Sequence, residues 1–391
     1  MSRSEKTDGA SNRWERGTVV RVGLLYSTTG YAAAEETSIR QGAILAAEQI
    51  NEQSDSLGFQ LELVLSDYES DSTQAGRNAV DLLARDRVDV LVGGYTSASR
   101  VAIVAATEHL DCAYIYPTYF EGLEIQPNVL YTGAVPNQYF ETYLRWIFET
   151  LGKKIYVIGS DYVYPRALSV MIQTLVQTAG AQIVADRYVP LGTPDLKHIA
   201  QEICELQPDV VISNLVGVDS LRSLYQEFHR AGLDSGKLPI AATVTTEFEV
   251  SEIGAEYVQG HYMVSTYFGS LTNAANESYV ASLKHRFGDA TVPHVAQVCA
   301  YNAMWVLAEA MRDCAVPTPS AIKHALKSAS FDGNPEGWPL VMRENQHSTH
   351  GSYIGVAEGD GSYTVVMTIP PCDPDPYPPS IVPAEKRPPA T

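Results

Sequence analysis

No stretch of this sequence approaches the ~18 consecutive apolar residues that a membrane-spanning helix requires, so no membrane insertion is expected. Positive charge is scarce: 27 Lys and Arg stand against 46 Asp and Glu, leaving a net charge of -19. Nucleic-acid binding depends on Lys and Arg neutralising phosphates. There is no basic stripe, so a direct DNA or RNA partner is not expected, although the acidic surface suits a basic partner protein. The five cysteines, Cys112, Cys204, Cys299, Cys314 and Cys372, are scattered and form no CxxC pair. That pattern is neither a disulfide framework nor a zinc site and reads as free thiols. Enzyme signatures are missing as well. There is no GxSxG, no HExxH and no GxxxxGK[ST], and no GxGxxG follows the first strand. His347 and His350 are close in sequence but have no cluster of further ligands, so a surface or structural role is expected and no metal or cofactor is called.

What the chain does have is a globular composition, 45% hydrophobic over 391 residues, which is long enough for two domains. Apolar β-rich runs alternate with helical periodicity. Strands are expected at Val20–Tyr26, Leu61–Ser66, Val88–Gly93 and Ala113–Tyr116, then at Lys154–Gly159, Ile183–Val189, Asp209–Asn214 and Pro239–Ala242. Between them, helices are expected at Ile39–Ile50 (capped by Ser38), Ala75–Arg85, Ser99–His109, Tyr139–Leu151, Ala167–Ala179, Leu196–Leu206 and Ser220–Ala231. Strands alternating with helices imply βαβ units and parallel sheets. Two such series, parting near Gly133–Gln138, predict an α/β chain of two doubly wound lobes. The proline-rich stretch from Pro370 to Thr391 should be extended, wrapping a surface or partly disordered. The polar segment Met1–Gly17 is read as flexible. It contains no apolar h-region, so the chain is expected to be soluble and cytoplasmic; an extracytoplasmic location is the alternative if a signal peptide has been removed.

In open α/β sheets ligands bind beyond the carboxyl ends of the strands. Those ends carry Ser27, Thr28 and Thr29; Tyr95, Thr96, Ser97 and Ser99; Tyr116, Thr118, Tyr119 and Glu121; and, in the second series, Ser160, Asp161, Tyr162, Tyr164, Asn214, Thr243, Thr245 and Thr246. The cluster is rich in hydroxyls and aromatic rings and poor in charge, which suits a small, neutral, polar ligand. Any one of these Ser or Thr residues is more readily explained as a helix cap, and Asp161 in particular as the cap of the helix after Pro165. The argument rests on their convergence.

At these positions the sequence resembles the urea- and short-chain-amide-binding branch of the type I periplasmic-binding fold, including its cytoplasmic amide sensors, which negatively regulate aliphatic amidase operons. The resemblance runs from about Val20 to Tyr377 through GAILAAEQIN (42–51), LVGGYTSASR (91–100), YPTYFEG (116–122), NVLYTGAVPNQ (128–138), IGSDYVYPR (158–166), ENQHS (344–348) and PDPYPP (374–379). It implies two lobes joined by three crossovers, at about 18–136 plus 268–341 and 137–267 plus 342–391. By the same motifs, Ser97 is the residue that hydrogen-bonds an amide, with Tyr95 beside it. Tyr116 and Thr118 match residues that wall the pocket and set ligand size, Glu121 an acidic residue that reaches an amide NH2, Tyr162 a second-lobe residue that closes on the ligand, and Thr245 a hinge-side threonine, with Tyr119 a further candidate ligand contact. Two places depart from the sensor pattern: Tyr119-Phe120 stands for a Pro-Tyr, and Val244-Thr245 for a threonine pair. LVGGYTSASR is nearer to the transporter-linked urea binders.

The expected function is therefore a non-catalytic sensor that closes on a small amide or urea and controls an antiterminator-like regulator. The alternative is the solute-binding component of a urea or amide ABC transporter, with a permease as partner. An amidohydrolase ranks below both, and self-association is left open.

Overall fold

The computed structural model describes residues 18–314, 316–382 and 384–387. Met1–Gly17, expected to be flexible, and the last four residues of the proline-rich stretch lie outside them.

The first sheet contains β1 (Thr18–Leu25), β2 (Phe59–Ser66), β3 (Val90–Gly93), β4 (Tyr114–Tyr116) and β5 (Val129–Tyr131). They run in the order β2-β1-β3-β4-β5 and are parallel throughout. Alternate residues of a strand face opposite sides, and β1 shows what each side buries. Val20, Val22 and Leu24 pack with the helices Ala33–Asn51 and Val295–Asp313. Leu25 and Leu91 pack with Ser72–Ala84 and Ser97–Thr107. Gly42 lets the first two helices touch, because a Cβ there would sit 2.1 Å from the Gln297 carbonyl oxygen.

The second sheet contains β6 (Lys154–Ser160), β7 (Gln182–Val189), β8 (Val210–Asn214), β9 (Ile240–Ala242) and β10 (Tyr262–Ser265). A short ribbon of β11 (Ser330–Phe331) and β12 (Leu340–Val341) rests on the first lobe, where the Phe331 ring stacks on Trp305 at 5.4 Å. The chain then returns to the second sheet as β13 (His350–Ala357) and β14 (Tyr363–Cys372). The order is β14-β13-β10-β9-β8-β6-β7, and β13 and β14 are antiparallel additions. The expectation of purely parallel lobes is corrected at this edge.

Two caps are corrected too. Ser38 lies inside the helix Ala33–Asn51 and bonds His294 Nε2 at 3.0 Å. Asp161 caps nothing and pairs with Arg166 at 2.7 Å, while Tyr162 precedes the helix Val163–Ala179.

Among the described residues the chain passes between the lobes three times, at 132–139, 266–273 and 342–349. The first and third passages are laced together. Ser348 N–H donates to the Tyr131 carbonyl at 3.1 Å, and Gln138 Nε2 donates to the carbonyls of Ser348 and Cys372 at 2.9 and 3.1 Å. His347 and His350 are buried in this region, which answers the surface-or-structural question in favour of structure. His347 stacks on Tyr131 at 4.3 Å, and His350 Nδ1 meets Glu336 at 2.9 Å. Beyond β14 the proline-rich tail does wrap a surface. Asn137 holds the backbone of Asp373 and Asp375, and the Pro376 carbonyl accepts the Leu123 N–H at 2.7 Å.

Candidate functional site: the interlobe cleft

The Gly93-Gly94 pair ends β3 with φ of +130° and +77°, and a Cβ on Gly93 would lie 2.4 Å from the Leu25 carbonyl oxygen. That turn delivers Tyr95, Thr96 and Ser97 to the start of the helix Ser97–Thr107. Thr96 caps it by accepting the Ser99 N–H at 3.1 Å. The N–H groups of Ser97 and Ala98 have no partner among the described residues, as expected of the first turn of a helix. Opposite stand the residues that follow β6, β8 and β9. Together Tyr95, Thr96, Ser97, Thr118, Tyr119, Tyr162, Tyr164, Val216 and Val244 line a small cavity of about 20 Å³.

The cleft is closed. Tyr119, from the first lobe, lies edge-on to Tyr164, from the second, at 6.3 Å between ring centroids. Two buried carboxyls lie on either side of it, Glu35 on the helix Ala33–Asn51 and Glu249 on the short helix Glu247–Ile253. Both are almost fully buried, at 5% and 1% exposure. Tyr95 OH donates to Glu35, and Thr246 donates to Glu249 from its N–H at 2.7 Å and from its hydroxyl. Burial holds the Glu35 carboxyl well above the usual carboxylate range, and Glu249 adds to that. Burial also raises Glu249, partly offset by the hydrogen bonds from Thr246.

Of the eight residues singled out in the sequence, five line the cavity: Tyr95, Ser97, Thr118, Tyr119 and Tyr162. The other three lie behind it. Tyr116 is fully buried in the first-lobe core, its hydroxyl donating to the Tyr95 carbonyl at 3.0 Å. Thr245 accepts from Tyr225 OH at 3.1 Å, and its carbonyl accepts from Tyr363 OH. Glu121 pairs with Arg100 at 2.6 Å and accepts from Ser97 Oγ at 2.6 Å. Arg100 is itself 1% exposed and lies over the Phe120 ring at 4.5 Å. Burial works against its charge, but Glu121 and its neighbours more than offset that. Glu121 is thus the counter-ion of a buried arginine and does not front the cavity.

Sequence reasoning named Tyr164 and Thr96 only as members of the strand-end cluster, met Val244 only as part of the Val244-Thr245 departure from the sensor pattern, and did not reach Val216, which follows its strand end by two residues. Nor did it reach Glu35 and Glu249, which have no local signature.

The lining carries no charge. Burial pushes the phenols of Tyr95, Tyr119 and Tyr162 well above their ordinary value and that of Tyr164 to about 12, so all four enter the cavity neutral. The Ser97 hydroxyl gives its proton to Glu121, and that of Thr118 donates to the Gly94 carbonyl at 3.2 Å, so both face the cavity as acceptors. The free N–H groups at the helix start are donors. Among the described residues, no group of three or more His, Cys, Asp or Glu is placed to hold a metal ion.

Comparison with known proteins agrees with this architecture. The sequence profile described as "Periplasmic binding protein domain" matches residues 20–382. The chain belongs to the periplasmic binding protein family. Within it, the chain is similar to a "Leu/Ile/Val-binding protein homolog 1" of Brucella melitensis, at 23% identity over 85% of this chain and 92% of that one. A shorter match, 29% identical over 30% of this chain, spans only 21% of a limonene hydroxylase from Geobacillus stearothermophilus. Among solved structures, the fold is similar to an ABC transporter solute-binding protein of R. palustris in complex with 4-hydroxybenzoate, with a TM-score of 0.80 at 18% identity, covering 91% of this chain and 97% of the other. Membership of a periplasmic binding family corrects the cytoplasmic expectation, which rested on the polar Met1–Gly17, and points outside the cytoplasm.

Proposed function

We propose that this periplasmic binding protein is the solute-binding component of an ABC transporter and captures a small, uncharged amide or urea for delivery to a permease. The observation that carries the reading is the uncharged lining of a small closed cavity, with hydroxyl acceptors beside helix-terminal donors. A primary amide needs both: its carbonyl takes the N–H groups of Ser97 and Ala98, and its NH2 donates to the hydroxyl oxygens of Ser97 and Thr118. The rings of Tyr119, Tyr162 and Tyr164 cover its faces. This arrangement assigns the NH2 to Ser97 and Thr118 in place of Glu121. The sensor reading loses its support with the cytoplasmic location.

Leu/Ile/Val binding, after which the Brucella relative is named, is the second reading. A zwitterion would bring an ammonium group, and no ionised side chain lines this cavity to receive it. Isothermal titration with acetamide, butyramide, urea and leucine separates the two. Saturable binding of an amide or urea is expected; binding of leucine alone would overturn the proposal. Ammonia release at enzymatic rates from acetamide or urea would overturn its non-catalytic character.

A further inference from the structure

Beyond β14 the chain runs as PDPYPP, and alternate residues of it are buried: Pro374, Pro376 and Pro378 turn inward, while Asp375 and Tyr377 stay partly exposed. Proline fixes φ and holds such a segment extended without the support of a sheet. This strap leaves the second sheet at Cys372 and reaches the first lobe at Pro376. Asn137, in the first passage between the lobes, grips it by bonding the Asp373 carbonyl and the Asp375 N–H, each at 2.9 Å. Asn345, in the third passage, donates to the Pro374 carbonyl at 3.0 Å, and Arg343 pairs with Asp373 at 2.8 Å. Ser380 then ties the strap back to the second lobe by donating to Glu141.

On the first lobe the strap meets the loop 117–128, which carries Glu121 and has no regular secondary structure. The loop is anchored at the Phe120 N–H by the Ala134 carbonyl, at 3.1 Å, and at the Leu123 N–H by the Pro376 carbonyl, at 2.7 Å. Glu121 and Gly122 stand between those two anchors. Gly122 and Leu123 both take left-handed conformations, with φ of +71° and +66°. A leucine keeps such a conformation only where its surroundings impose it. A Cβ on Gly122 would lie 2.6 Å from the same Pro376 carbonyl oxygen, so the strap is pressed against the backbone of the loop. Glu121 in turn accepts the Ser97 hydroxyl and pairs with Arg100, each at 2.6 Å. We infer that the proline strap is a positioning element of the cavity: by clasping Gly122 and Leu123 it fixes Glu121, and through Glu121 it fixes Ser97 as an acceptor toward the ligand. The inference rests on the reading of this cavity as the ligand site, and adds to it a segment that is not part of the lining.

The effect on the ligand follows from hydrogen-bond direction. The Ser97 hydroxyl has one hydrogen, and it offers the cavity an acceptor only while Glu121 takes that hydrogen. A loop that relaxes lets Glu121 drift, and the hydroxyl must then be reordered each time a ligand arrives. Glu124 does not stand in for Glu121, because it is engaged by Tyr131 OH at 2.6 Å and by Arg100 at 3.2 Å. The strap springs from the second sheet, so the second lobe supplies part of the order of the first lobe's wall from behind.

The test combines Pro374→Ser, Pro376→Ser and Pro378→Ser in the full chain, which frees the backbone of the strap and leaves every residue of the cavity in place. Hydrogen exchange without ligand reads the outcome, so it does not depend on which solute binds. Exchange at 121–124 is expected to rise by about tenfold or more as the Leu123 N–H loses its partner. Exchange at 97–104, which shares no hydrogen bond with the strap among the described residues, should rise with it. A rise confined to 121–124, or no rise at all, would overturn the inference. Affinity gives a second readout, with the tightest binder among acetamide, butyramide, urea and leucine. The strap variant should bind it several-fold more weakly than the wild type. Combined with Ser97→Ala, it should bind no more weakly than Ser97→Ala alone, because both changes act on one hydroxyl; losses that multiply would mean that the strap acts elsewhere. If the triple variant does not fold, Asn137→Ala, which releases the strap at Asp373 and Asp375, serves the same purpose. A failed titration with amides would count against the proposed ligand and leave the exchange result standing.

Discussion

On the first lobe's side of the cleft, the side chains facing the cavity are fixed from behind. Ser97 is held by Glu121, Glu121 by Arg100, and Thr118 by the Gly94 carbonyl. On the second lobe's side, Val216 and Val244 offer only methyl groups. Tyr164 leans on Tyr139 OH at 3.4 Å, a long contact. The first wall is set to read polarity, because its hydrogen-bonding directions are determined before any ligand arrives; the second excludes water and supplies shape. Preorganised polar partners cost little reordering on binding, which explains why one lobe holds the network and the other the cover.

Four substitutions would break or sharpen this contrast. The largest effect is expected from Glu121→Ala, which takes from buried Arg100 the nearer of its two carboxylates and leaves it Glu124, at 3.2 Å. Stability should fall by up to about 3–5 kcal/mol in denaturant unfolding. If stability holds and only ligand affinity suffers, the residue belongs to the cavity after all. Ser97→Ala removes an acceptor of the proposed ligand NH2. Titration with the tightest of the four test solutes should show a loss of roughly 5- to 150-fold, from ~1–3 kcal/mol for an unmet buried partner. Thr245→Val probes a residue behind the second wall. It should cost ~1–3 kcal/mol of stability by stranding the Tyr225 hydroxyl, with affinity nearly unchanged. The smallest effect should come from Tyr162→Phe, which keeps the ring and its packing. A loss of about tenfold or less marks a cover; a loss matching that of Ser97→Ala would show that the second wall also reads polarity.

The parallel part of the fold was legible because buried parallel strands are continuous apolar runs and their helices are amphipathic. Val20–Tyr26 differs from β1 by one or two residues at each end, and Lys154–Gly159 from β6 by one. The later chain was much less so. The helix Val295–Asp313 is buried on nearly every side, Val298, Ala300, Met304, Val306, Leu307 and Met311 all having lost their exposure, so it shows no polar stripe. The hairpin β13–β14 is interrupted by Gly351, Gly355, Gly359 and Gly361 and ends in Pro370-Pro371, residues that argue against a strand when read locally. In the site, the hydroxyls at the strand ends were found by a topological rule. Which of them donate, and to what, depends on Arg100 and Glu121 meeting behind the wall, and sequence does not encode that meeting locally.

The late return of the chain to both sheets has a consequence for how the molecule is made. The first lobe covers one face of β1 and β3 only when Val295–Asp313 packs there, and the second pairs the free edge of β10 only when His350–Cys372 arrives. A nascent chain of three hundred residues therefore has the core beneath one face of its first sheet, built wholly from residues before 136, but neither the full cover of the other face nor the edge of the second sheet. Partners so distant in sequence make folding slow to commit, and partly built α/β layers expose apolar faces that invite chaperones or aggregation. Folding of this protein is expected to be largely post-translational, with both lobes completed nearly together by its last quarter.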